Sequence, residues 1–138
     1  GKTSIELPKA HIDNLDFSFS GIKTAVINLN HKNPEINKAD LCMSFEKAVT
    51  EVLIENIESA VKQTGIKKVV LAGGVSANTH IRSEFEKLEQ KGIKIYKPDL
   101  KLCGDNAAMI GAAGYYRYLN GDLSENTLNA VPNLKIGE

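Results

Sequence analysis

Residues 67–72, KKVVLA, run apolar without alternation straight into the glycine pair Gly73–Gly74. A half-buried strand alternates apolar and polar residues. One that does not is expected to be a parallel strand covered on both faces. The chain must then supply helices to cover it. Asn78 stands as an N-cap for a helix from Thr79 to about Lys91, with Ile81, Phe85 and Leu88 facing inward and Gly92 ending it. Residues 93–96, IKIY, give a second strand, stopped by Pro98. The order helix, strand, helix, strand, helix predicts an α/β layer architecture with right-handed crossovers.

The longest helical pattern covers about residues 36–64. Leu41, Phe45, Val49, Val52, Leu53, Ile57, Ala60 and Val61 form one apolar stripe, Asn37 or Asn33 can cap its start, and Gly65 sits at its end. So wide a stripe needs a sheet or several helices to cover it. Ser20 is read as the cap of an earlier helix from Gly21 to about Asn30, and Asp105 as a cap of a last one, Asn106 to Leu119. Residues 1–16 read as polar and irregular, 122–138 as an exposed tail following a lobe over 1–121. The alternation in 17–20, FSFS, suggests a very short strand. Two core strands are few for this much helix. Either 17–20 adds a third, or the remaining strands lie in sequence not present here.

A chain of 138 residues suits one core. Lys+Arg and Asp+Glu are both 17, so no global charge draws it to nucleic acid, although a local basic patch stays open. Cys42 and Cys103 are far apart, and two free thiols suit a cytosolic protein, one cystine being the alternative. No apolar run is long enough to span a membrane. No signal peptide is visible, but the chain starts at Gly1 rather than Met, so its true beginning is expected to be missing.

In open α/β sheets ligands bind at the carboxyl ends of strands, where Gly73 and Gly74 lie. Without Cβ atoms their backbone admits a phosphate or sugar closely; Ser76 and Asn78 add donors, and the helix N-terminus favours an anion. The plainer alternative is a tight turn with Asn78 acting only as a cap. Asp105 is either a metal ligand on the same sheet edge or a cap. His11, His31 and His80 show no HxxxH or HExxH spacing, so no complete metal site is encoded, and Cys103 reads as a small packing residue. Ala107, Gly111 and Gly114 bare one face of the last helix for close packing or for a flat ligand. Lys91, Lys94, Lys97 and Lys101 surround Tyr96 and suit either an RNA backbone or a solvated edge.

Three segments taken together, FSFSGIKTA at 17–25, AGGVSAN at 72–78 and CGDNAAMI at 103–110, resemble in order and spacing the carboxyl-terminal half of the tRNA threonylcarbamoyladenosine transferases. This is the TsaD/Gcp group, once labelled O-sialoglycoprotein endopeptidases or glycoproteases. The resemblance covers most of residues 17–120. It implies a partial lobe of the actin/Hsp70/sugar-kinase fold, with parallel strands and packed helices around a nucleotide cleft. It also implies transfer of a threonylcarbamoyl group from threonylcarbamoyl-adenylate to the exocyclic amine of the adenine after the anticodon of tRNA. By the same resemblance Asn78 contacts the adenylate, with Gly73, Gly74 and Ser76 on the same wall. Asp105 matches the aspartate that joins two histidines in holding a divalent metal, iron or zinc. Ser20 and Lys23 belong to a segment expected to shape the cleft.

The family's HxxxH motif and first phosphate loop are absent from this chain. A piece of a longer cytoplasmic enzyme is therefore expected, inactive and self-associating by itself. The family also implies an inactive paralogue and a small ATPase as bacterial partners, and no membrane. Two other functions compete with the transferase: a non-catalytic nucleotide-binding module, and the metallopeptidase of the old label, which the lack of HExxH does not support.

Overall fold

The computed structural model describes residues 1–9 and 15–133. Among these residues four helices and two strands run in the order α1 (Ser20–Lys32), α2 (Lys38–Thr64), β1 (Lys68–Val70), α3 (Thr79–Glu86), β2 (Lys94–Tyr96) and α4 (Ala107–Leu119), with short 3-10 turns at Gly74–Ala77, Lys87–Lys91 and Leu100–Leu102. The chain divides into two compact units, Gly1–Cys103 and Gly104–Glu138.

The first unit is built on α2, whose two ends are fixed by local chemistry. The Asn37 side chain accepts from the backbone N–H groups of Ala39 and Asp40, and Gly65 ends the helix at φ 72°, a left-handed conformation that costs glycine little. The stripe between these ends is covered in two stretches. Its C-terminal part (Leu53, Ile54, Ile57, Val61) packs on a core of Ile81, Phe85, Leu88 and Ile93, together with Val69 and Ile95 of the sheet. Its N-terminal part meets Leu7 and Ile22 around Ala48. The segment expected to be irregular at the N-terminus is thus partly a strap. Lys2 N–H donates to Asp40 Oδ1 at 2.6 Å, Ile5 N–H donates to Ser44 Oγ at 3.2 Å, and Leu7 is buried. The expected irregularity of residues 10–14, including His11, lies outside the described residues.

β1 and β2 pair in parallel with Lys68 opposite Lys94, Val69 opposite Ile95 and Val70 opposite Tyr96. The α/β class and both strands match the sequence reading, but burial on both faces does not. Val69 and Ile95 are half-buried, whereas Val70 is 72% exposed and Tyr96 41%. The physical reason is that α2 and α3 both pack on the Val69/Ile95 side. The Thr79–Lys91 helix is an α-helix to Glu86 that tightens to 3-10 before Gly92, at φ 77°, ends it.

Three other expectations are corrected. Residues 17–20 form no strand; Phe17 and Phe19 stack at 5.9 Å instead, and Ser20 opens α1. Ser20 is not the cap of that helix, because Phe19 holds the cap position with no side-chain bond, while Ser20 Oγ lies 3.1 Å from Ser18 Oγ. The cap of α4 is Asn106, not Asp105: in a β conformation it accepts from Met109 N–H at 3.0 Å.

In the second unit α4 has no buried residue, and Met109, Ile110, Tyr115, Tyr116, Tyr118 and Leu119 are exposed. Residues 122–133 carry neither helix nor strand. No described helix is long and apolar enough to cross a membrane.

Candidate functional site: the strand-tip loops

Parallel strands in register bring their carboxyl ends to one edge, so the loops after β1 and β2 are neighbours. The first is the glycine loop. Gly73 sits at φ 84°, ψ 169°, a region essentially reserved for glycine, so the turn itself requires this residue. Gly74 has no such constraint: its φ is ordinary, and a Cβ there would meet nothing within 4 Å. The turn explains one glycine of the pair and leaves the other open to solvent.

Ser76 is buried, and its hydroxyl donates to the Gly73 carbonyl at 2.6 Å, reinforced by its own backbone N–H to the same oxygen at 3.0 Å. Its proton is thus spent on fixing the turn. Asn78 is half-buried and caps α3, accepting from Ile81 N–H at 3.0 Å. Its amide nitrogen donates to Glu46 Oε1 of α2 at 2.8 Å.

Arg82 joins the two loops. One guanidinium nitrogen donates to the Ser76 carbonyl at 3.0 Å, the other to the Pro98 carbonyl at 2.8 Å. The first also lies 3.5 Å from the buried Cys103 sulfur, and the Cys103 thiol approaches the Asp99 carbonyl at 3.6 Å. A planar, permanently charged fork suits carbonyl groups on two separate loops. Cys103 is the packing residue the sequence suggested, and both cysteines are free thiols. Sequence reasoning missed Arg82 and Glu46. Arg82 reads as one more polar residue on a helix, and Glu46 lies 32 residues from its partner, so neither carries a local signal.

Asp105 lies exposed just before α4, two residues along the chain from Cys103. Among the described residues no group of three His, Cys, Asp or Glu side chains is placed to hold an ion. Asp105 therefore offers one carboxylate and no complete metal site among the described residues. Ser20 and Lys23 sit exposed on the first turn of α1. Of the four lysines, Lys91 pairs with Glu58, Lys97 pairs with Glu86, and Lys94 lies 4.9 Å over the Tyr96 ring. Lys101 is exposed.

The first unit is thus of the parallel α/β class, with one arginine tying its two strand-tip loops. The comparisons with known proteins make it specific. The sequence model of the TsaD family, tRNA N6-adenosine threonylcarbamoyltransferase, matches residues 1–112, and the chain belongs to that family. It is 49% identical over 142 aligned residues to the tRNA N6-adenosine threonylcarbamoyltransferase of Clostridium perfringens (strain SM101 / Type A), covering 98% of this chain and 42% of the relative. The Clostridium novyi (strain NT) protein of the same name is 47% identical over 99% of this chain and 42% of its own length. For the Clostridium beijerinckii protein the figures are 49%, 99% and 42%. The chain thus spans 42% of the length of these curated relatives.

Proposed function

We propose that the chain is the carboxyl-terminal part of an enzyme that transfers threonylcarbamoyl from threonylcarbamoyl-adenylate to the exocyclic amine of the adenine following the anticodon in tRNA. Family membership supports the reaction class. The observation that carries the site assignment is Gly74. The fold asks nothing of it, yet it leaves backbone bare at a strand tip beside a helix N-terminus, where an adenylate has room to approach.

In this reading Gly73 sets the turn and Gly74 lies against the nucleotide. Ser76 locks the loop, and Asn78 contacts the adenylate. Asp105 supplies one carboxylate to a divalent metal, iron or zinc, whose other ligands come from outside this chain. That metal would polarise the transferred carbonyl and steady the phosphate. Ser20 and Lys23 shape the cleft. The whole lobe belongs to the actin/Hsp70/sugar-kinase type, with residues 1–121 as lobe and 122–138 as tail. The enzyme works in the cytoplasm, in bacteria beside an inactive paralogue and a small ATPase. The segment alone is inactive, because one carboxylate and one wall cannot assemble the site.

The test uses the full-length protein carrying this segment and reads threonylcarbamoyl transfer to tRNA. Asp105→Ala abolishes transfer in this account; retained transfer removes Asp105 from the metal site. Gly74→Ala lowers transfer while leaving the melting temperature unchanged. Full activity there would leave only the tight-turn role for the glycine pair.

A further inference from the structure

We propose that Glu46 is a positioning residue: its carboxylate fixes the orientation of the Asn78 amide and so decides which of that amide's groups face the nucleotide. The inference rests on the adenylate reading of the glycine loop and adds to it a residue on a different element. An asparagine side chain can present its oxygen and nitrogen in either of two orientations, nearly equal in shape. Here two fixed groups choose between them. The backbone N–H of Ile81 only donates, and it meets Asn78 Oδ1 at 3.0 Å. A carboxylate only accepts, and that of Glu46 meets Asn78 Nδ2 at 2.8 Å. Turning the amide over would set N–H against N–H and oxygen against carboxylate, losing both bonds at once.

The cap alone would hold the oxygen. Without Glu46, however, the amide could leave the cap and rotate to meet a ligand or water. With Glu46 in place, one N–H and one oxygen lone pair of Asn78 remain uncommitted among the described residues, at a fixed angle. That donor–acceptor pair is the kind that reads the N6/N7 edge of adenine or a ribose hydroxyl. Among the described residues Asn78 is the one side chain that Glu46 hydrogen-bonds, and both are half-buried, which shields the bond from competing water. Glu46 gains its position from α2: the buried Thr50, one turn on, donates to the Glu46 carbonyl at 2.7 Å, and the apolar stripe on either side pins the helix.

The experiment measures binding of adenosine 5′-monophosphate to the full-length protein by calorimetry, with melting temperatures recorded for every variant. Glu46→Ala and Glu46→Met, the latter keeping the stem volume on α2, each weaken binding about tenfold. Glu46→Gln, which keeps an acceptor oxygen, stays within about threefold of wild type. Asn78→Ser retains a helix cap but lacks the amide. It weakens binding itself, and adding Glu46→Ala to it causes no further loss, because Glu46 acts only through the amide.

A purely structural Glu46 would give an additive loss on the Asn78→Ser background, and that result overturns the proposal, as does a Glu46→Gln loss equal to that of Glu46→Ala. So does unchanged affinity in both Glu46→Ala and Glu46→Met when Asn78→Ser is weakened, which leaves the adenylate reading standing. If Asn78→Ser binds as well as wild type, the adenylate reading itself fails and takes the proposal with it.

Discussion

α3 and α4 begin almost identically and end up in opposite circumstances. Each follows the loop after a strand, and each is capped by an asparagine whose Oδ1 accepts from the backbone N–H three residues on, at 3.0 Å in both cases. Yet α3 buries Ile81 and Phe85, while α4 buries nothing and leaves Ile110 69% exposed. Caps and propensity decide that a helix forms and where it starts. What the helix is worth to the fold depends on the surface it meets. For α3 that surface is the half of α2 bearing Leu53, Ile54 and Ile57, together with Val69 and Ile95 of the sheet.

The sharpest way to break this contrast is truncation on each helix. Phe85→Ala should cost about 3–5 kcal/mol in urea unfolding of the chain, through lost burial and the cavity left behind. Ile110→Ala should stay within about 0.5 kcal/mol, as surface changes do. Equal losses would show that α4 is packed as firmly as α3.

The glycine pair gives the next contrast. Gly73→Ala forces a side chain into φ 84°, ψ 169° and should cost about 1–3 kcal/mol, whereas Gly74→Ala should be close to neutral in the same unfolding measurement. Comparable losses at both would return Gly74 to a role in the turn.

How far these differences were readable in the sequence follows from their range. Asn37 and Gly65 bracket α2 within a few residues of the hydrogen bonds they make, so the end of the helix could be read directly and its start was narrowed to Asn37 or Asn33, of which Asn37 makes the cap. Asn78 and Gly92 did the same for the segment after the glycine loop. Asp105 and Asn106 are both good capping residues side by side, and composition cannot choose between them; the backbone conformation of Asn106 does. The exposure of Val70 was hidden because an unbroken apolar run shows what a strand can bury, not how many layers cover it. Arg82 and Glu46 were out of reach for a different reason. Their roles exist only once the two loops and α2 have been brought together.

Two smaller effects refine the comparison. Asn106→Ala should cost about 1 kcal/mol of local helix stability, seen as faster amide exchange in the first turn of α4. Asn78→Ala should cost more, because it also strips Glu46 of its hydrogen-bond partner. Smallest is the strap. The hydrogen bond from Lys9 to Glu51, at 2.6 Å, holds the Lys9 ammonium above its ordinary 10.5; partial burial opposes this, and the charges of Glu51 and Glu55 assist. A cation whose folded-state pKa is raised contributes stability that is fully present below about 10.5 and lost as pH climbs through the raised value. The melting temperature of the wild-type chain should therefore fall slightly more than that of Glu51→Gln across this alkaline range. Parallel curves would mean that the strap does not depend on the pair.

The central claim is that the loops after β1 and β2, tied by Arg82, form one wall of a nucleotide site. Hydrogen–deuterium exchange of the full-length protein, with and without adenosine 5′-monophosphate, tests it most directly. The account predicts that the nucleotide slows exchange in residues 71–78 and 97–103 together, and that Arg82→Ala uncouples the two. Protection confined to other parts of the protein, with both loops exchanging as before, would contradict it.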